Sequence, residues 1–301
     1  MNPECSSCGS ADTTIIYSPS PENLNKVVCK SFTPTSADFG IFYKLARCRK
    51  CGMHFAVLDD KWADSGEMYR DASDVLYLSQ EQDRSVAYKK IISELKKVFP
   101  SGGRILDVGC SYGFLPKVAK ESGFSVFGVE ASLAACEYCR KQGLEVFSGS
   151  LQQANFASES FDIVCAIEVI EHFSDIRGFI SEVFRILKPG GIFYVVTPDI
   201  ESLSGRIMGQ RFWSYRKMHL QYFSRKTIYN FLKRNGFAII KSSVYRKVFR
   251  LGYALDQLSR SNYSKVLCYF LNAVIKCLGL NNLRVTASFG DIAVIARKRT
   301  G

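Results

Sequence analysis

No apolar run follows a basic start in this chain, so a signal peptide is not expected. The longest apolar block, Val266 to Leu278, is broken by Asn272 and Lys276 and is too short to span a bilayer. No segment repeats another, which sets aside a repeat array. Histidine is scarce, with only His54, His172 and His219 in 301 residues. Acidic residues are scarce in the last third. From Glu201 onward 19 Lys and Arg stand against three acids, whereas the first 200 residues carry 21 against 25. The basic part is expected either to face an anionic partner (a phosphate-bearing substrate, a nucleic acid or a membrane surface) or simply to be solvated.

Eleven cysteines are present, unevenly spaced and partly inside apolar strands, which suits a reducing cytoplasm better than a disulfide framework. At 47% hydrophobic residues the chain can bury a large core. Its pattern predicts a helix over Gln80–Phe99 and then alternating strands and helices. Strands are expected at Ile105–Gly109, Val126–Glu130, Glu145–Ser148, Phe161–Val169, Ile192–Thr197, Phe237–Tyr245 and Ile292–Arg297. Helices are expected at Phe114–Ser122, Leu133–Gln142, Asp175–Leu187 (capped by Ser174) and Ser224–Asn235. The order predicts an α/β chain with a doubly wound, Rossmann-like, seven-stranded sheet.

The most informative stretch is Arg104-Ile-Leu-Asp-Val-Gly-Cys-Ser-Tyr-Gly113 with Ser125-Val-Phe-Gly-Val-Glu130. It reads as strand, glycine turn, helix and a second strand ending on a carboxylate, a unit that holds a ribose-bearing cofactor. The nicotinamide fingerprint fits poorly, because its third and sixth positions are Ser111 and Phe114. Gly-Cys-Ser-Tyr-Gly also matches a nucleophile elbow, with Asp199 and His219 downstream. That reading lacks the strands needed upstream and leaves Glu130 without a role.

Further blocks follow: Phe161-Asp-Ile-Val-Cys-Ala-Ile-Glu-Val-Ile-Glu-His172, Leu187-Lys-Pro-Gly-Gly-Ile-Phe193 and His219-Leu-Gln-Tyr-Phe-Ser224. With the turn and Val129-Glu130, they make residues 104–245 resemble a class I S-adenosylmethionine-dependent methyltransferase of the small-molecule branch. The resemblance implies cofactor contacts at Asp107, Gly109, Ser111, Gly113, Glu130, Ala131, Ser150, Leu151 and Ile167. Glu130 would hold both ribose hydroxyls. The chain departs from the family pattern at Ser111, where the turn's middle glycine is usual, and at Gly149-Ser150-Leu151, where an acid often reads the adenine.

Cys5-Ser-Ser-Cys8-Gly and Cys48-Arg-Lys-Cys51-Gly are two C-x-x-C knuckles, and four such thiolates suit structural zinc. Their 39-residue separation exceeds the usual ~15–20, but the longer loop costs only about 0.7 kcal/mol. A redox dithiol is the alternative. Cys136-Glu-Tyr-Cys139 lies in a predicted helix without a second pair and reads as packing. An N-terminal zinc ribbon before such a domain resembles bacterial sugar and metabolite methyltransferases, and some ribosomal RNA methyltransferases.

The expected division is a zinc-ribbon-like module at 1–58, a helical connector or lid at 59–100, and a catalytic domain at 101–301 with an insertion at about 246–290. A helix from Tyr263 to Leu278 in that insertion could lie at a membrane interface or pack on the domain or a second subunit. Methyl transfer mainly requires an aligned nucleophile and removal of its proton. Glu171, His172 and His219 are the catalytic candidates, with His54 read as structural. Glu168, Glu171, His172 and His219 together could alternatively hold a divalent ion, as in ubiquinone-type O-methyltransferases. Trp213, Tyr215, Tyr222 and Phe223 could wall an acceptor, and Arg206, Arg211, Arg216 and Lys217 could clamp a phosphate. The expected acceptor is a small sugar or nucleotide-sugar hydroxyl, ahead of a membrane lipid or quinol and of RNA. A binding protein without catalysis also stays open, as does the oligomeric state. The expected location is cytoplasmic, with a peripheral position at the inner membrane face as the other option.

Overall fold

The computed structural model describes residues 3–18, 42–58, 69–260, 271 and 273–300. Its larger sheet has the expected seven strands: β4 (Arg104–Val108), β5 (Ser125–Glu130), β6 (Glu145–Ser148), β7 (Phe161–Ile167), β8 (Leu187–Pro198), β10 (Phe237–Arg250) and β11 (Arg284–Lys298). Their order is β10-β11-β8-β7-β4-β5-β6. Strands β8, β7, β4, β5 and β6 run parallel, and β11 lies antiparallel between β8 and β10. The central strands are near-continuous apolar runs because both faces are covered. Alternate residues feed two cores. Leu106, Val108, Val164 and Ala166 enter one; Ile105, Ile163 and Cys165 enter the other.

Helices α1 (Val75–Leu78), α2 (Glu81–Val98) and α3 (Phe114–Glu121) cover one face together with α4 (Leu133–Lys141). On the other face α5 (Ile176–Ile186) and α7 (Arg225–Arg234) bury Phe179, Ile180 and Val183, and Ile228, Phe231 and Leu232. The capping box at Ser224 and Thr227 starts α7.

The smaller sheet has the order β1-β2-β3-β9, from β1 (Thr13–Tyr17), β2 (Lys44–Cys48), β3 (His54–Val57) and β9 (Gln221–Tyr222). All its pairings are antiparallel. Its last strand thus comes from the His219–Ser224 block, far along the chain. Cys5, Cys48, Met53 and Phe55 join the same core as the large sheet.

Several local expectations are corrected. Asp175, rather than Ser174, caps α5, because its carboxylate accepts the Gly178 N–H at 2.9 Å. Strand β7 ends at Ile167, two residues early. Glu168 takes a left-handed φ of +58° while its N–H donates to Val196 O, and Ile170–His172 form a 3-10 turn. Strand β8 begins at Leu187, the residue expected to end the helix, rather than at Ile192. The 246–290 segment begins and ends as strand, since β10 and β11 stay paired from Lys247↔Ala287 to Arg250↔Arg284. Buried Asp83 on α2 holds this hairpin, accepting from Arg284 Nε at 2.8 Å with Arg250 Nε at 3.4 Å. Helix α8 (Leu251–Arg260) follows. Most of the helix expected over Tyr263–Leu278 lies outside the described residues. Among those described, no helix is long and apolar enough to cross a membrane.

Gly113 begins α3 at φ +75°. A Cβ there would lie 2.5 Å from Leu144 Cδ1 and 2.8 Å from Cys139 Sγ. Gly113→Ala is therefore expected to destabilise the fold by about 3 kcal/mol through backbone strain and overpacking. Urea denaturation checks this, and a change below about 0.5 kcal/mol would contradict it.

Candidate active site

A cavity of about 1310 Å³ opens at the carboxyl ends of β4, β5 and β7. It exceeds the ~300–1,000 Å³ usual for one small ligand. At one end the turn after β4 bends sharply, with Gly109 N and Cys110 N both donating to Val129 O at 2.7 and 3.1 Å. Gly109 (φ +70°) has no room for a side chain, since a Cβ would sit 2.6 Å from Val169 Cγ2. Ser111 adopts φ +47°, a left-handed conformation that glycine would take more easily.

Glu130 closes β5 against this turn. Its Oε2 accepts the Ser111 N–H at 2.7 Å and its Oε1 accepts the Ser132 N–H at 2.8 Å. Burial pushes its carboxyl pKa upward, against the N–H groups of Ser132, Ser111 and Ala131. Ser132 also caps α4 and donates to Ala72 O at 2.7 Å, and Tyr112 Oη accepts the Asp74 N–H at 3.0 Å. Residues 72–74 are thereby tied to the turn.

Gly109, Ser111, Glu130, Ala131, Ser150, Leu151 and Ile167 all line the cavity. Asp107 and Gly113 do not. Asp107 is buried on β4, its carboxyl pushed well up by burial and by the Glu130 charge, and Gly113 packs behind the turn. Ser150 is engaged locally: its N–H donates to Gln153 Oε1 at 2.8 Å and its Oγ accepts the Gln153 N–H at 3.2 Å.

The other end holds Glu171, His172 and His219, whose ligand-capable atoms lie within 4.8 Å of one another. Glu171 is 1% exposed and accepts from Thr197 Oγ1 at 2.9 Å. Burial raises its pKa to about 8. His172 Nδ1 is 2.8 Å from Met218 O and 3.0 Å from Tyr69 Oη, and burial lowers its pKa to about 4. His219 Nδ1 is 3.1 Å from Ser214 Oγ, and burial and His172 hold its pKa well below the usual range. Burial thus favours the uncharged form of all three groups.

Glu168 does not join this group. It is ion-paired with Lys247, whose Nζ also lies 3.2 Å from Asp291 Oδ2 and 4.8 Å from the Trp213 ring centroid. The four-ligand arrangement expected from the sequence is thus reduced to three. Trp213, Arg211 and Arg216 line the cavity, whereas Arg206 and Lys217 do not. Lys217 instead lies 5.3 Å from the Tyr43 ring centroid. Tyr215 packs against Tyr222 and Phe42 with tilted rings, and Phe223 is core. Sequence reasoning missed Tyr69, Arg84, Tyr112, Gln153 and Lys247 on the wall.

The raised pKa of Glu171 has a definite sign. The folded state keeps its proton up to about pH 8, while the unfolded carboxyl loses it near 4.5. Its stabilising contribution is full below about 4.5 and is lost as pH rises through 8. Glu171→Gln, which keeps the shape without the titration, is expected to melt above the parent at pH 8 and to lose that advantage towards pH 5. Equal pH dependence in both proteins would refute the assignment.

At the other end of the chain, Cys5 Sγ lies 3.6 Å from Cys51 Sγ, and Cys8 Sγ 3.6 Å from Cys48 Sγ. All four sulfurs fall within 4.8 Å. Four thiolates about 2.3 Å from a tetrahedral zinc stand about 3.8 Å apart, so the donor set fits that ion. Each knuckle turns on a glycine, with Gly9 N donating to Cys5 O and Gly52 N to Cys48 O. Cys136 and Cys139 are buried on α4, their thiols donating to Glu130 O and Ser111 O.

Known proteins resemble the chain in sequence and in fold. A ubiquinone biosynthesis O-methyltransferase of Chelativorans sp. (strain BNC1) is 36% identical over 129 residues, 39% of this chain and 51% of that protein. A sterol 24-C-methyltransferase of Gibberella zeae is 39% identical over 103 residues, 31% of this chain and 27% of that protein. The chain thus spans about half or less of the length of these curated relatives. A solved putative methyltransferase from Bacillus halodurans superposes with a TM-score of 0.50 at 20% identity, over 69% of this chain and 99% of that one, a likeness of fold. The family described as methyltransferase domain matches residues 79–242, more than half of the sequence and all of the turn, Glu130 and the Glu171–His172 segment, and the chain belongs to that family.

Proposed function

We propose that this chain transfers the methyl group of S-adenosylmethionine to an oxygen of a small, negatively charged acceptor, a sugar or nucleotide-linked sugar. The supporting observation is one continuous cavity with Glu130 at one end and Glu171, His172 and His219 at the other. S-adenosylmethionine would supply an electrophilic methyl group there. Glu130 receives the backbone N–H groups of Ser111, Ser132 and Ala131, and the remaining acceptor capacity of its two oxygens is available to the pentose. Ala131, Leu151 and Ile167 offer apolar surface beside it, and Gly109 keeps the wall clear.

At the acceptor end a neutral imidazole of His172 or His219 takes the hydroxyl proton, while Glu171 completes the polar surround. Glu171, His172 and His219 also have the donor types for a divalent ion, which would acidify a bound hydroxyl. Arg211 and Arg216 give the wall its affinity for an anion. Residues 1–58 act in this reading as a zinc-bearing module, 59–100 as connector and 101–301 as the catalytic domain. The relatives' names and the aromatic wall of Trp213, Phe249 and Phe289 favour a second reading, a quinol or other lipid hydroxyl.

Tritiated-methyl transfer into a fractionated lysate identifies the acceptor class. His172→Ala and His219→Ala are expected to lower kcat by roughly 10²–10⁴-fold with cofactor affinity unchanged. Undiminished transfer by the double variant would remove both histidines from the proton-transfer role.

A further inference from the structure

A second cleft, of about 490 Å³, lies between the Cys48–Cys51 knuckle and α7 and shares no wall residue with the large cavity. Its size falls within the range of small-ligand sites. Arg47, Arg49 and Lys50 line it from the knuckle side, and Lys226, Lys233 and Arg234 from the helix. The helix contribution follows from its periodicity. Positions 226, 230, 233 and 234 share one face of α7, and Ile228, Phe231 and Leu232 on the other face enter the core. Gly52 brings the knuckle up to the helix, since a Cβ there would touch Thr227 Cγ2 at 3.6 Å.

Among the described residues Glu201 is the only acid on this wall. Among the described residues the ion pair made by the six cations is that of Arg49 with Asp12, at 4.0 Å, and Arg234 donates to Ser7 Oγ at 2.9 Å. A zinc tetrathiolate at the knuckle would carry a formal charge of about −2. Even with that charge, Glu201 and Asp12 subtracted, the six cations retain an excess of about two. Cations held together on two separate elements repel one another unless an anion of matching charge enters.

We infer that this cleft binds the diphosphate group of a small phosphate ester, clamped between the arginines and lysine of the knuckle and the basic face of α7. A diphosphate carries between two and three negative charges near neutral pH, which matches the excess, and its oxygens can bridge both walls at once. A carboxylate would leave about one charge of the excess uncompensated, and a single sulfate, though its two charges match, spans less of the cleft than a diphosphate. The site is separate from the methyl-acceptor cavity, so the inference holds or fails independently of the acceptor proposed above.

The test is isothermal titration of the full, metal-replete chain with inorganic pyrophosphate, uridine diphosphate, orthophosphate and a single-stranded RNA 12-mer at fixed salt. Pyrophosphate is expected to bind this cleft one to one, at least about tenfold tighter than orthophosphate, and uridine diphosphate to bind it likewise, apart from any binding in the acceptor cavity that the double variant leaves unchanged. The double variant Lys226→Glu/Lys233→Glu is expected to weaken both by at least about tenfold, with zinc content and thermal midpoint retained. A nucleoside requirement, seen as binding of uridine diphosphate far tighter than pyrophosphate, would still place the diphosphate here if the double variant lost it. Absence of binding, equal affinity for orthophosphate, or an unweakened double variant would overturn the inference. RNA binding far tighter than pyrophosphate would also overturn it and make the cleft a nucleic-acid surface. A charge-neutral pair, Lys226→Gln/Lys233→Gln, repeats the test should the Glu variant fail to fold.

Discussion

Glu130→Ala is expected to weaken S-adenosylmethionine binding by roughly 10²–10⁴-fold. The carboxylate accepts the Ser111 and Ser132 N–H groups, and those two bonds hold the glycine turn against the end of β5. Hydrogen bonds to a charged group are worth about 1.5–3 kcal/mol each, and the alanine would also leave two N–H donors without their acceptor. The pentose would lose its two acceptors in the same stroke. Glu130→Gln keeps one acceptor oxygen but turns an NH₂ towards an N–H, so it should fall near the alanine rather than near the parent. Calorimetric titration against S-adenosylmethionine and S-adenosylhomocysteine decides. Parent-like affinity in a folded Glu130→Ala protein would refute the cofactor placement.

Stripping metal with a strong chelator under reducing conditions, or replacing Cys48 by Ser, is expected to lower the thermal midpoint by about 10 °C or more. Structural zinc contributes roughly 10–16 kcal/mol in small peptides, and each kcal/mol moves a domain of this size by about 2–4 °C. The effect should reach the large cavity. Strand β3 pairs with β9 through His54↔Tyr222 and Phe55↔Gln221, and the preceding residue, Leu220, donates its N–H to Glu171 O at 2.7 Å. Loss of the knuckles therefore loosens the backbone that carries His219 and Glu171. Metal analysis and a melting curve check this. Less than about 0.2 zinc per chain in reduced, purified protein, or an unmoved midpoint after chelation, would contradict it.

The parts of the site legible in the sequence were those written in contiguous residues. Gly109 and Ser111 of the turn, the carboxylate at Glu130 and the Glu171-His172 pair are local patterns, and the alternation of strand and helix placed them at one end of a sheet, whereas Asp107 and Gly113 of the same turn stay off the cavity wall. What was hidden depends on register and on distant segments. Lys247 reaches Glu168 because β10 runs past a register shift at Tyr245/Lys247, which no local pattern announces. Tyr69 meets His172 from a stretch with no periodicity to read. Tyr215, Tyr222 and Phe223 had the composition of an acceptor wall, yet they serve the small sheet and the core, because β9 pairs with β3. Glu168 joins the metal-ligand types by spacing and by the family resemblance, whereas its left-handed backbone turns it to another partner, Lys247.

The two-residue strand β9 has a consequence for how the molecule melts. Strands from residues 13–57 and from 221–222 share one sheet, and Ser6 and Ser7 are held by Gln221 and Arg234. Neither sheet can come apart without exposing apolar surface of the other, so heat capacity should trace a single cooperative endotherm rather than two.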